Sequence, residues 1–405
     1  MVIFLENILC LSAFLLAAIL IVLIERKLWQ TYVTPVTLSV VPLAAMLSLS
    51  VVLSSCGVLT EFYPKTTLFL LYSIILFELP SIMCNSFYKK RSKNHTTNPM
   101  RTYWLVFIVS IIFILIYGVF INRSLASVNA NIGTDDFAAQ TAAGGLFAHV
   151  RSLLIGMLTI WICLYEKKNR IFPIIFIFAI IAFTFINQVK GWIVMPVLAG
   201  LILRVILNKT KFNLPIVLTT VILGILVFYL SYYFALVIGN NNRMNTEIND
   251  FILNHIVHYL TSGIMGLNHY LHSNIIEPID LKRLFIPFVN LFHALTGGEL
   301  YDPEMMAGRS SVYTGVGMSN TRTLYGSAYI FIGAWFYPVY IMAVSFLMYI
   351  INIIALNKRN IFITAIFAWF CATIFMSWFD SYYQLFTTFE VPFILFIFYF
   401  IDKFR

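Results

Sequence analysis

The chain reads as an all-α polytopic membrane protein, on three observations. Hydrophobic residues make up 60% of it and charged residues 11%, against about a quarter charged in a soluble domain, and mean hydropathy is +0.89. Apolar stretches long enough to cross a bilayer, which takes about 20 residues of helix, recur along its whole length. The basic residues lie in short clusters between those stretches. Despite a net charge of +9, that pattern sets topology and gives no reason to expect nucleic acid as a partner.

Eleven segments qualify as spans: 2–24, 35–59, 66–88, 102–121, 145–165, 171–188, 191–207, 213–238, 322–356, 361–379 and 385–401. The ninth is too long for a simple crossing. Gly326 and Gly333 permit its first turns, TLYGSAYIFIG, to form a broken helix. The N-terminal MVIFLENILC has neither a basic n-region nor a small-residue cleavage site, so the first span is expected to be retained. All five cysteines fall in apolar spans without paired spacing, which predicts neither a disulfide framework nor a thiolate metal site.

Alternate connections carry the basic residues: Arg26 and Lys27; Lys89, Lys90, Arg91, Lys93 and Arg101; Lys167, Lys168 and Arg170; Lys209 and Lys211; Lys358 and Arg359; Lys403 and Arg405. Positive residues stay on the cytoplasmic side, so the N-terminus is expected outside (periplasmic) and the C-terminus in the cytoplasm. The whole chain, 1–405, then forms one transmembrane domain with two extracytoplasmic loops. The minor loop is 122–144, and the large, partly helical one, 239–321, lies between the eighth and ninth spans.

The large loop is the only long polar interval and holds five of the seven histidines. From Glu247 to His272 it has helical character, with Asn245, Thr246 and Asn249 as candidate caps. Leu284, Phe285, Ile286, Phe288, Val289, Leu291 and Phe292 are too apolar for a solvated loop and predict an interfacial helix, a lid over a cavity. A loop packed on the bundle for stability alone is the plainer alternative.

Charges inside a bilayer are costly enough to point to function. Arg204 lies near the inner end of its span and is expected to snorkel. Glu78 precedes Pro80 and could serve only a kinked backbone; Glu390 and His149 also fall in spans. Arg151, Lys190 in NQVKGW, and Arg322 reach the outer side from three helices, and together they would suit a phosphate or pyrophosphate. Arg binds such a group with paired donors and Lys as a point charge. The alternative is that each pairs separately with a carboxylate or a helix end.

His255 and His258 share a helix face, as do His269 and His272. Four imidazoles without thiolate or carboxylate partners argue for a base or phosphate donor such as His258 before they argue for zinc. Asp135 and Asp136 in GTDDF, and Asp302 and Glu304 in YDPE, could orient sugar hydroxyls or merely solvate loops. Tyr259, His269, Tyr301, Tyr313 and Asn320 combine apolar ring faces with hydrogen-bonding groups, a surface suited to sugars.

Two stretches carry a resemblance: SNTRTLYGSAYIFIGAWF (Ser319 to Phe336), where the large loop re-enters the membrane, and FINQVKGWIVMPVLAGLIL, a short turn with a basic residue and a glycine. With the many spans and the late outer loop, they resemble the Wzy-type oligosaccharide repeat-unit polymerases of O-antigen and capsule assembly. Arg322 and Gly333 also fit an arginine, ten residues, glycine pattern, whereas Lys190 stands where arginine is more usual.

The resemblance implies a glycosyltransferase of the bacterial inner membrane acting on undecaprenyl-pyrophosphate-linked oligosaccharides, with membrane lipid around it and a chain-length regulator and a flippase of the same pathway as possible partners. Arg151, Lys190, Arg309 and Arg322 would neutralise pyrophosphate, and His258, Asp302 or Glu304 would take the proton; neither nucleotide nor metal is required. The alternatives are an O-antigen ligase, a transferase using polyprenyl-monophosphate sugars, and a flippase or other transporter. The monophosphate enzyme needs an acidic first outer loop, where TEFYPKT offers only Glu61. A transporter usually shows paired halves, and none are visible.

Overall fold

The computed structural model describes residues 2–88, 99–128, 137, 140–141, 144–187, 191–211, 214–238, 243–273, 278–301, 311–358 and 360–404. Among them every one of the eleven apolar segments is a helix: α1 (Val2–Trp29), α2 (Pro35–Ser55), α3 (Pro64–Asn85), α4 (Pro99–Ser127), α5 (Leu146–Leu164), α6 (Ile171–Ile186), α7 (Gly191–Ile206), α8 (Leu214–Tyr233), then α12 (Thr323–Lys358), α13 (Ile361–Phe375) and α14 (Phe386–Phe404). The large loop supplies α9 (Thr246–Ser273), α10 (Leu281–Leu284), α11 (Ile286–Thr296) and one hairpin, β1 (Val312–Tyr313) antiparallel to β2 (Met318–Ser319).

Seven of these helices, α1 to α5, α12 and α13, are long and apolar enough to cross a membrane. The fold is therefore the expected all-α multi-pass one. α6 and α7 have 16 residues each, about 24 Å of helix, and α14 carries Glu390, Asp402 and Lys403. α4 runs on to Ser127, so Arg123 lies on a helix. The chain divides into two compact units, Met1–Arg91 with Val257–Ile353 and Thr373–Thr388, and Ser92–Ile256 with Ile354–Ala372 and Phe389–Arg405.

In unit 1, α1 packs on α2 and α3, and α12 lies along them through hydroxyl contacts. Tyr337 donates to Ser73 Oγ at 2.5 Å, Ser345 donates to the Phe77 carbonyl at 2.5 Å, and the Tyr325 hydroxyl meets Ser39 Oγ at 2.6 Å. A hydroxyl buried in an apolar interior is costly unless bonded, so each contact fixes register as well as proximity. The excess length of α12 is resolved at Gly333, whose φ of 73° and ψ of 168° break the helix. Thr323–Ile332 is almost wholly buried, whereas Trp335, just past the break, is 92% exposed. The remaining 334–358 suffices for a crossing.

In unit 2, α5 packs against α4, α6 and α7. A Cβ on Gly200 would lie 2.6 Å from Ile162, which is why α7 can approach α5 so closely. Arg204 does not snorkel: it donates to the carbonyls of Ile162 (3.0 Å), Cys163 (3.4 Å) and Tyr165 (2.6 Å), capping the C-terminus of α5. A cation there satisfies orphan carbonyls and the negative end of the helix dipole. Arg204→Ala is expected to cost about 2 kcal/mol and to lower the thermal unfolding midpoint in detergent, with Arg204→Lys recovering part of the loss.

Candidate functional site

Among the described residues two arginines are buried, Arg322 at 1% exposure in unit 1 and Arg151 at 7% in unit 2. Arg322 owes its position to α9. The Thr261–Asn268 stretch of that helix is buried although it lies in the middle of the polar loop, because small residues admit backbone on two sides. A Cβ on Gly263 would come within 2.2 Å of the Phe379 carbonyl oxygen. One on Gly266 would lie 2.2 Å from the Thr321 carbonyl oxygen and 2.6 Å from Arg322 Nη1.

Asn268 ties α9 to the loop before α3. Its Oδ1 accepts from the Tyr63 N–H and from Thr66 Oγ1, both at 2.9 Å, and its Nδ2 donates to the Glu61 carbonyl at 2.8 Å. The hairpin covers another side: the Thr60 N–H donates to the Thr314 carbonyl at 3.0 Å, and Ser319 Oγ donates to the Ser262 carbonyl at 3.0 Å.

Within this enclosure Arg322 Nη1 donates to the carbonyls of Thr321 (2.9 Å) and Ser319 (3.4 Å). Thr323 follows at a φ of +64°, a region where a β-branched residue is strained by about 1–3 kcal/mol. Its N–H donates to the Phe379 carbonyl at 3.2 Å, and its Oγ1 accepts from the Gly326 N–H at 3.0 Å. Strain held at the residue after a buried cation is typical of functional sites.

His269, one turn beyond Gly266 and exposed, lies in the field of Arg322. Partial burial, then Arg322 and His272, hold its imidazole below the ordinary 6.5, so it is neutral at pH 7 and can accept a proton. Its neutral form is favoured in the folded protein, so the unfolded chain binds more protons in the window below 6.5. The associated stability is complete above that value and falls as pH drops through the lowered one. Histidine NMR of the folded protein is expected to show His269 titrating below 6.5.

The other sequence candidates of unit 1 lie around this cluster or beside it. The His258 ring packs against Gly317 of the hairpin. His272 stacks on Tyr63 with centroids 3.5 Å apart, and Tyr259 stacks on Phe379 at 5.8 Å. Tyr313 and Asn320 are exposed at the two ends of the hairpin. Tyr301 is pinned to α11 by paired bonds with Asn290 at 2.8 and 3.1 Å. That stretch is a helix as expected, with Phe288, Leu291, Phe292 and Leu295 exposed, while Leu284 just before it packs on Ile330, Phe331 and Ile332.

Residues that sequence reading passed over stand close by. Asp380 accepts from Ser327 Oγ at 2.9 Å, and the Tyr382 hydroxyl is pushed upward by burial and then by Asp380 and Tyr259. The turn DSYYQ was legible only as a short outer connection.

In unit 2 the Arg151 guanidinium sits 3.5 Å above the Trp192 ring and hydrogen-bonds Tyr117. Tyr117 donates to Asn187 Oδ1 at 2.6 Å, and Asn187 Nδ2 donates to the Thr141 carbonyl at 2.8 Å. Glu390 pairs with His149 and reaches Arg151 electrostatically. Arg151 Nε is buried and finds no acceptor among the described residues. Among the described residues this group is thus partly paired, with Nε left as a donor. Lys190, Asp302, Glu304, Arg309, Asp135 and Asp136 lie outside the described residues.

Apolar spans, a largely helical polar loop and two desolvated guanidinium sites define a multi-pass membrane protein with built polar centres. A family model covers residues 57–405 and is described as a family of unknown function (DUF6337); the chain belongs to that family. No curated protein and no solved structure matches it.

Proposed function

We propose that this protein is a membrane glycosyltransferase that polymerises undecaprenyl-pyrophosphate-linked oligosaccharide repeat units at the outer leaflet of the bacterial inner membrane, with its N-terminus periplasmic. The observation that supports this reading best is a buried arginine in each unit, one of them with a guanidinium N–H that has no acceptor among the described residues. A repeat-unit polymerase handles two lipid-linked substrates, and each brings a pyrophosphate. Bidentate donors in a desolvated setting suit that group.

In the reaction a hydroxyl of the newly delivered unit attacks the anomeric carbon of the growing glycan. The bond from that carbon to the pyrophosphate oxygen breaks, the new glycosidic bond forms, and the hydroxyl proton passes to a base. Because the leaving group is already activated, the protein mainly positions substrates and stabilises charge. Neutral His269 suits the base, alongside His258, Asp302 and Glu304, and the exposed ring of Tyr313 and the half-buried ring of Tyr301 suit sugar faces. α11, with its apolar exposed side, would serve as the lid.

The test is deletion of the gene followed by a gel of surface polysaccharide. A ladder collapsing to one repeat supports polymerisation. Loss of all substituted core would indicate a ligase or flippase, and an unchanged ladder would refute all three. With His269 as the base, the acid limb of kcat/KM is expected below pH 6.5, since activity is lost only as the imidazole protonates; His269→Gln would remove that limb.

A further inference from the structure

Unit 1 buries two carboxylates that the reaction above does not use. Glu25, near the end of α1, is fully buried. It accepts from Ser81 Oγ, from Thr34, and from the Tyr349 hydroxyl at 2.5 Å, and Ser81 Oγ in turn accepts from Trp29 Nε1 at 2.9 Å. Glu78, one turn before Ser81 on the same face of α3, is 5% exposed, and neither carboxyl oxygen has a hydrogen-bond partner among the described residues. It therefore does not serve the backbone freed by Pro80.

Glu78 lies within electrostatic reach of the same cluster. Ser345 of α12 donates to the carbonyl of Phe77, its chain neighbour, and Tyr349, one turn on, donates to Glu25. Both Glu25 and Tyr349 interact electrostatically with Glu78. A further turn along, Asn352 Nδ2 is also buried without an acceptor among the described residues.

We propose that Glu25 and Glu78 form a binding site for one monovalent cation, a proton or a sodium ion. Two carboxyl groups in one apolar interior cannot both be charged without a compensating cation, and Glu25 already takes the hydroxyl donors while Glu78 takes none among the described residues. Among the described residues the cations on the elements packed here are engaged elsewhere or exposed: Lys65 at the far end of α3 donates to the Leu271 carbonyl at 2.8 Å, Arg26 lies over the Tyr32 ring at 4.8 Å, and Lys27 and Lys358 are exposed. α2 has no charged group, and the titratable groups nearest the two carboxylates are buried Cys84 of α3 and Tyr349 of α12. The donors available, two Glu78 oxygens with Glu25, Tyr349 and Ser81, are all hard oxygens, which suit sodium as well as a proton.

The purified full-length protein in detergent can be labelled with N,N′-dicyclohexylcarbodiimide, which modifies protonated carboxyl groups in apolar surroundings, and mapped by mass spectrometry. No sugar substrate is needed, so failure here is separable from failure of the polymerase reading. The expected result is an adduct on Glu78, absent in Glu78→Gln, whose formation slows roughly tenfold per pH unit once the group ionises. At fixed pH, slowing by sodium chloride but not choline chloride identifies sodium as an occupant; dependence on pH alone identifies the proton.

Glu25→Gln removes the neighbouring charge and is expected to move the labelling profile to lower pH, a readout that survives even if the Glu78 variant fails to fold. An unlabelled Glu78 in the folded protein, labelling indifferent to both pH and sodium, or a profile unmoved by Glu25→Gln would overturn the proposal.

Discussion

Arg322→Ala is expected to abolish long-chain polymer while single repeats still reach the lipid core. The Arg322 side chain is 1% exposed and enclosed by the Thr321 and Ser319 carbonyls and the α9 backbone at Gly266, and it is the one buried arginine of unit 1 among the described residues. Losing a preorganised charge-stabilising donor from a dry site costs about 10²–10³ in kcat. Arg322→Lys separates charge from geometry: it keeps the cation and loses the fork, so a partial, shortened ladder is expected. Wild-type chain lengths from either variant in a protein of normal abundance would remove Arg322 from the proposed chemistry. Because Arg322 also holds backbone carbonyls, abundance and detergent melting are read in parallel.

Gly266→Ala should produce a comparable loss by a different route. The added methyl would sit 2.2 Å from the Thr321 carbonyl oxygen and 2.6 Å from Arg322 Nη1, so α9 or the re-entry segment has to move. Overpacking of this kind costs about 1–3 kcal/mol, more than the 0.5–1 kcal/mol that alanine gains over glycine inside a helix. Gly224→Ala is the control, because nothing lies within 4 Å of a Cβ there; it should be neutral or slightly stabilising. Polymer lengths and melting temperatures that do not distinguish the two variants would show that α9 yields freely, and that Arg322 is not held as tightly as its surroundings indicate.

Much of this protein was legible in one dimension. Runs of about 20 apolar residues can only be satisfied in hydrocarbon as helices, which close their own backbone hydrogen bonds, so each of the eleven segments became one. Gly333 could be flagged as a break because its segment exceeded any bilayer, and it carries the positive φ. Asn245 was readable as a cap and accepts from the Ile248 N–H at 2.8 Å.

Local pattern failed where burial contradicted composition. The stretch TSGIMGLN looks like the polar middle of a loop helix yet is buried from end to end, since its small residues are matched to the distant backbone of 319–323 and 378–379. Arg204 looked like a snorkelling cation but caps another helix.

What the sequence by itself determined is the helical, multi-pass class and the existence of one long polar interval, because hydropathy and helix closure depend only on neighbours along the chain. What only the tertiary structure decided is which polar groups share an environment. Arg322 meets His269, Arg151 meets Tyr117 and Trp192, and Glu25 meets Ser81 and Tyr349. Such partnerships join residues tens to hundreds of positions apart. They follow from close packing, which no pattern of period 3.6 along a single helix encodes.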